Sequence, residues 1–192
     1  MSQTSFDIQQ AAVIGAGTMG RGIVMCLANA GIAVQWVDNN PQMLEQALAT
    51  VADTYAHNVR QGRIDQVEAD ARLARISAAA DYPAIRNVDL VIEAVYENLE
   101  LKQKIFRELD GLLKPEALLA SNTSALDIDA IAAATRRPSQ VLGLHFFSPA
   151  HIMKLLEIVR GAQTSPPALE AALALGKRMG KVSVVSGNCH GF

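Results

Sequence analysis

Ala11-Ala12-Val13-Ile14-Gly15-Ala16-Gly17-Thr18-Met19-Gly20 is the stretch whose reading decides the fold. Its first four residues form a short buried strand, Gly15 to Gly20 a tight turn, and Met19, Ile23, Val24 and Leu27 the inner stripe of the helix that follows. Gly31 ends that helix and Ile32 to Val37 supplies a second apolar strand. Asp38 stands at its end, about 20 residues beyond the glycines, as a dinucleotide fold requires. Gly15 allows the turn, Gly17 lets backbone approach a pyrophosphate, and Gly20 lets helix and strand pack closely. The helix start, carrying Thr18 and Met19, offers free N–H groups and a positive dipole end to the phosphates. A bare glycine pattern would also suit an ordinary strand-to-helix corner; the flanking strand and helix and the acid at the right distance make it a cofactor site. Asp38 selects the cofactor. Its carboxylate accepts hydrogen bonds from ribose hydroxyls but repels a 2′-phosphate, and Asn39-Asn40-Pro41 brings no arginine, so the expected cofactor is NAD rather than NADP.

The whole chain of 192 residues suits one domain, or one domain and the start of another, and half of its residues are hydrophobic. A net charge of −2 lacks the basic surplus that nucleic acid or an anionic membrane would favour, so the expected partner is a small molecule. Cys26 and Cys189 make no disulfide framework, metal pattern or redox pair, which suits a reducing compartment. Met1 to Gln10 lacks the features of a signal peptide, and the longest apolar tract is broken by Arg21 and Asn29. A soluble, cytoplasmic protein is expected, with a peroxisomal setting left open.

Beyond Asp38 the alternation continues. Residues 1–9 read as a tail, and Asn40 caps a long helix to about Arg60 with Pro41 in its first turn. Gly62 breaks it, and Asp65 with Glu68 reads as a capping box for a shorter helix to Ala74. The two either form a helical hairpin inserted beside the sheet or a plain crossover. Strands are expected at Ile76–Ala78, Leu90–Val95, Ala117–Ala120, Val141–Phe147, Leu155–Val159 and Val182–Val185, with helices marked by Leu101, Ile105, Leu109 and Leu112, by Ile128 and Ile131, and by Pro167 to Met179. This is a doubly wound α/β, Rossmann-type, parallel-rich sheet. Ligands of such sheets bind beyond the carboxyl ends of the strands, where Asp38, Glu97, Ser121 to Ser124 and His145 to Ser148 all fall.

Among these, His145 alone could be a core imidazole satisfied by a carbonyl. Two adjacent strands joined by the intervening connection would return Glu157 beside its ring, fixing one tautomer and stabilising the imidazolium, as a general base needs. Ser124, with Asp127 three residues on, either caps a helix or contacts a substrate, and one hydroxyl can do both. Glu97 and Lys102 flank a helix start and by themselves read as surface charge. His57, His151 and His190 show no ligand spacing with cysteines or acids, so no metal site is expected.

Gly15-Ala-Gly-Thr-Met-Gly20, Val95-Tyr-Glu-Asn-Leu99, Ser121-Asn-Thr-Ser124 and His145-Phe-Phe-Ser-Pro-Ala-His-Ile-Met-Lys-Leu-Leu-Glu157 together resemble the L-3-hydroxyacyl-CoA dehydrogenases of fatty-acid β-oxidation, above all the dehydrogenase part of their peroxisomal-type multifunctional members. The resemblance implies a catalytic pair of His145 and Glu157, with Ser124 on the substrate hydroxyl and Ser148 toward the substrate carbonyl. It places Glu97, Lys102, Asn122 and Ser124 near the nicotinamide end of NAD, and the helical pair of Asn40 to Ala74 near CoA. Single-function members usually carry asparagine at the position of Ser148; the multifunctional members share the serine. The family continues past Phe192 into a helical domain, so residues 10–186 are expected to be the NAD-binding domain and 187–192 the start of the next. The implied activity is NAD-dependent oxidation of a 3-hydroxyacyl-CoA, in a homodimer or a multifunctional enzyme. Two rivals are an NAD-binding module without turnover and a dehydrogenase of a free hydroxyacid.

Overall fold

The structure, a computed structural model, describes residues 6–192. Of the expected tail, residues 1–5 lie outside the described residues. Ile8 is 5% exposed and packs into the core, its carbonyl accepting from Arg178 at 2.6 Å.

The glycine stretch forms β1 (Gln10–Ile14) and α1 (Thr18–Asn29), followed by β2 (Ala33–Val37). Gly15 takes φ +107°, and a Cβ there would lie 2.6 Å from the Ala94 carbonyl oxygen. A Cβ on Gly20 would overlap the Gly15 carbonyl, so both positions require glycine for shape alone. The fully buried Trp36 on β2 ties the turn down, its indole N–H donating to the Gly15 carbonyl at 2.9 Å.

Next come α2 (Pro41–Arg60) and α3 (Gln66–Ala74). Asn40 accepts from the N–H groups of Gln42 and Met43, with Pro41 starting the helix, and Asp65 accepts from Glu68 N–H at 2.7 Å. The two helices pack on each other and on α1, and together they make the crossover to β3 (Ile76–Ala78), which pairs parallel to β2. The hairpin and the crossover are therefore the same object.

The second half adds β4 (Leu90–Glu93), α4 (Leu99–Leu112), β5 (Leu118–Ser121), α5 (Ile128–Ala132), β6 (Val141–Phe146), β7 (Leu155–Arg160), α6 (Pro166–Arg178) and β8 (Val182–Gly187). The sheet order is β3-β2-β1-β4-β5-β6-β7-β8. Every pairing is parallel except β6 with β7, so the last two strands run against the rest. One core layer, including Ile23, Leu27, Trp36, Phe146 and Leu156, fills the face under α1, α2 and α6. The other, including Phe106, Leu109 and Ile131, fills the face under α4 and α5. Among the described residues no helix is long and apolar enough to cross a membrane.

The inner face of α4 differs from the expected stripe. Leu101 and Leu112 are 36% and 40% exposed, while Lys102, Ile105, Phe106 and Leu109 point inward. The helix is rotated because Lys102 has a carboxylate partner inside the sheet, and that contact turns the 102–105–106–109 row to the core.

Two carboxylates join distant parts of the chain. Burial raises the affinity of Asp89 for a proton, but the Lys114 ammonium at 2.5 Å and the N–H groups of Gln10 and Gln9 outweigh it and hold the group below its ordinary 3.8. Burial likewise opposes Arg136 and Arg137 at Asp110, and the two guanidinium contacts, at 2.9 and 2.8 Å, again win. Between the ordinary and the lowered value the unfolded chain binds more protons, so stability rises with pH there and is lost as pH falls through the folded value. The urea midpoint is therefore expected to be flat from about pH 7 to roughly pH 5 and to fall below about pH 4. Asp110→Asn should flatten that acid limb; an unchanged limb would remove Asp110 from the account.

Candidate active site

The switch in strand order lies between β1 and β4, where chains leave the sheet in opposite directions and open a crevice at the carboxyl ends. On the β1 side lie the glycine turn and Asp38. The cap position of α1, Gly17, uses no side-chain hydrogen bond, so the N–H groups of the first turn are available. A Cβ at Gly17 would meet nothing within 4 Å. That glycine is not needed by the protein's own packing; it leaves room for something laid on the turn. Thr18 is exposed beside it and Met19 half-buried. Asp38 accepts from Ala16 N–H at 2.7 Å with one carboxylate oxygen and from Asn40 N–H at 2.8 Å with the other. It braces the turn against the start of α2 and keeps lone pairs for further donors. These residues fit the adenosine and pyrophosphate portion of a dinucleotide.

On the β4 side, Glu93 ends its strand fully buried, and Lys102 reaches it from α4 at 2.6 Å, also fully buried. The surface reading of Lys102 is corrected by this contact. Glu97 lies 3.5 Å from the same ammonium, its side chain 39% exposed. Its carboxylate accepts from the Thr123 hydroxyl and from Ser124 N–H at 2.9 Å. Burial pushes the Glu97 carboxyl up, but Thr123, Ser124 and Lys102 outweigh it and hold the group below its ordinary 4.5.

Ser124 does not cap α5. Asp127 does, accepting from Asp129 and Ala130 N–H, while Thr123 accepts from Leu126 N–H at 2.9 Å. The exposed Ser124 hydroxyl is thereby released from capping and lies 3.4 Å from Glu97. Asn122 accepts from Phe146 N–H at 2.9 Å, so the loop after β5 is fastened to the end of β6.

His145 and Glu157 are direct partners across the antiparallel β6–β7 pair, with His145 Nδ1 2.7 Å from a Glu157 carboxylate oxygen. Their side chains are 16% and 21% exposed. An ionised carboxylate only accepts, so Nδ1 carries the proton and Nε2 is left as the basic nitrogen. The Phe147 ring packs against the imidazole at a tilt, with centroids 4.5 Å apart, and the Phe192 ring lies at 6.0 Å, so the two shield it in part. Ser148 follows, exposed.

Most of the sequence-derived candidates thus fall on one crevice in two groups, one at the glycine turn and one at the ends of β4, β5 and β6. Sequence reasoning missed Glu93. A charged residue within the apolar run Leu90 to Val95 was the available signal. Also missed was Asn188, whose side chain accepts from Ile128 N–H at 3.0 Å and donates to Asp127 at 2.6 Å and Asp129 at 2.8 Å. It clamps the chain leaving β8 to the start of α5.

Residues 10–189 match the family described as "3-hydroxyacyl-CoA dehydrogenase, NAD binding domain". The peroxisomal bifunctional enzyme of Danio rerio is 50% identical over 193 residues, which cover 97% of this chain and 25% of that protein. A peroxisomal fatty acid beta-oxidation multifunctional protein of Arabidopsis thaliana is 42% identical, covering 96% of this chain and 26% of that protein. The chain spans about a quarter of the length of such relatives. Among solved structures, (S)-3-hydroxybutyryl-CoA dehydrogenase from Ralstonia eutropha superposes with a TM-score of 0.94 at 36% identity, over 97% of this chain and 66% of that one. For 3-hydroxybutyryl-CoA dehydrogenase from Escherichia coli the values are 0.93 and 37%, over 95% of this chain and 39% of that one. With its doubly wound sheet, glycine turn and Asp38, the chain belongs to the NAD-binding domain family of the 3-hydroxyacyl-CoA dehydrogenases.

Proposed function

We propose that this chain is the part of an enzyme that holds NAD and the catalytic histidine for oxidation of an L-3-hydroxyacyl-CoA to the 3-ketoacyl-CoA, in fatty-acid β-oxidation. The observation that carries the proposal is the His145–Glu157 pair, at 2.7 Å, on the strand beside the nicotinamide half of the crevice. In this reading Gly15, Gly17, Thr18, Met19 and Gly20 lie under the pyrophosphate and Asp38 on the adenosine ribose. Glu97, Asn122 and Ser124 border the nicotinamide end. Lys102 acts through Glu97, because it is fully buried. Bound NAD supplies the hydride acceptor. His145 Nε2 takes the hydroxyl proton as hydride is lost from the same carbon, Ser124 orients that hydroxyl, and Ser148 donates to the substrate carbonyl. Glu157 holds the ring in one tautomer and balances its new charge.

Residues 10–186 are proposed as the NAD-binding domain, with 187–192 leading into a further, helical one. Assembly as a homodimer or within a multifunctional enzyme is part of the same proposal. So is its compartment, cytoplasmic or, as the names of the relatives carry, peroxisomal.

A second reading, an NAD-binding module without turnover, is favoured by the open face beside the catalytic pair. Val184 pairs with Glu157 in register, so it shares that face, and it is 48% exposed. The test is an NADH-consumption assay with acetoacetyl-CoA, run beside a titration of Trp36 fluorescence with NAD. The indole is hydrogen-bonded to the turn that NAD would cover, so its emission is expected to change saturably. Consumption of NADH supports the dehydrogenase; a fluorescence change without consumption supports the module.

A further inference from the structure

A lysine and a glutamate with no solvent exposure at all face each other at the carboxyl ends of β4 and β5. Stability alone explains this poorly, since apolar residues of similar volume commonly replace a buried ion pair at no loss. Its surroundings point elsewhere. Glu93 accepts from Ser121 at 2.7 Å and from Val95 N–H at 2.7 Å, so both of its carboxylate oxygens are engaged. Lys102 is shared unequally, at 2.6 Å from Glu93 and 3.5 Å from Glu97. Two carboxylates and one ammonium leave one unit of negative charge, and it resides at the Glu97 end, where the cluster reaches the crevice.

The oxidised nicotinamide ring carries one positive charge and the reduced ring none. A negative surplus beside the ring therefore favours the oxidised cofactor. We propose that Glu93 is a positioning residue that sets this surplus: by taking the nearer share of Lys102, it leaves Glu97 only partly compensated and so tilts the site toward NAD⁺ over NADH. The proposal rests on the reading that the nicotinamide end lies over β4 and β5. It goes beyond that reading by giving the site a preference between redox states, and Glu93 a role exerted without contact with the cofactor.

The experiment measures dissociation constants of NAD⁺ and NADH by calorimetry for the chain, Glu93→Gln and Ser121→Ala. Glutamine keeps the shape and can satisfy both Ser121 and Val95 while removing one charge; Lys102 then neutralises Glu97. The ratio of the NADH to the NAD⁺ dissociation constant is expected to fall about fivefold in Glu93→Gln, the scale of one charge acting across a partly solvated site. Ser121→Ala removes a hydrogen bond but no charge and should leave the ratio alone. A Glu93→Gln variant in which both constants change by the same factor overturns the proposal, because loosened structure would do that. A ratio shifted equally by Ser121→Ala overturns it too. Should Glu93→Gln fail to fold by circular dichroism, Glu97→Gln removes the same charge from the exposed end and must lower the ratio; an unmoved ratio there is decisive against. If the unaltered chain binds neither nucleotide, the NAD reading itself falls along with the proposal. Binding with an unmoved ratio removes the proposal alone.

Discussion

His145→Gln is expected to bind NAD as tightly as the unaltered protein and to lose about 10² to 10⁴ in turnover, the usual worth of a positioned general base. The separation of binding from rate follows from the architecture. In the proposed binding mode the pyrophosphate and adenosine ends lie on α1 and Asp38, beside β1, whereas His145 sits on β6, three strands away across β4 and β5. Glutamine fills the space of the ring and can still hydrogen-bond to Glu157, so the β6–β7 register is retained. It has no nitrogen that accepts a proton near neutral pH. Glu157→Gln should cost less, since it leaves a base but frees the tautomer and removes the balancing charge. The measurement is a steady-state NADH assay paired with calorimetric NAD binding, in the complete enzyme. Normal turnover by His145→Gln would dismiss the assignment; a parallel loss of NAD affinity would make His145 a structural residue.

The second large effect concerns stability. Lys102→Ala leaves Glu93 as an unpaired charge in a site with no water access, and removing one member of a buried pair typically costs about 3 to 5 kcal/mol. For a domain of this size that lowers the melting temperature by roughly 6 to 20 °C. The combined Glu93→Gln with Lys102→Met removes both charges, fills the stem volume and keeps a partner for Ser121, so it should regain most of the loss. Calorimetric melting of Glu93→Gln, Lys102→Met and the double, beside Lys102→Ala, measures the coupling. A single variant costing under about 1 kcal/mol would mean that water reaches the Lys102 position.

Much of the fold was legible because it is written in local periodicities. The apolar run before Gly15, the stripe of α1, the caps at Asn40 and Asp65 and the alternation of strands and helices all depend on residues within a few positions of one another. The partnership of His145 and Glu157 was legible for a related reason: two strands with a connection too short for a helix have to run antiparallel, and the register then follows the spacing. What escaped was set by neighbours remote in sequence. Ser124 carries a local pattern for a cap, yet Glu97, 27 residues back, draws the loop to itself and Asp127 takes the cap. Lys102 shares a helical row with Ile105, Phe106 and Leu109, but whether a lysine in such a row is buried depends on an acid facing it from another strand.

The sequence by itself therefore determined the order of elements, the glycine turn with its acid, the choice of NAD and the pairing of His145 with Glu157. Each is a matter of short-range pattern or of one strand connection. Only the tertiary structure decided that Lys102 is inside, that Glu93 is its partner, and that Glu97 anchors the Ser124 loop. Those contacts exist because β4 and β5 lie side by side next to the β1–β4 switch point, and the energy of a charge depends on what surrounds it in space rather than on its neighbours along the chain.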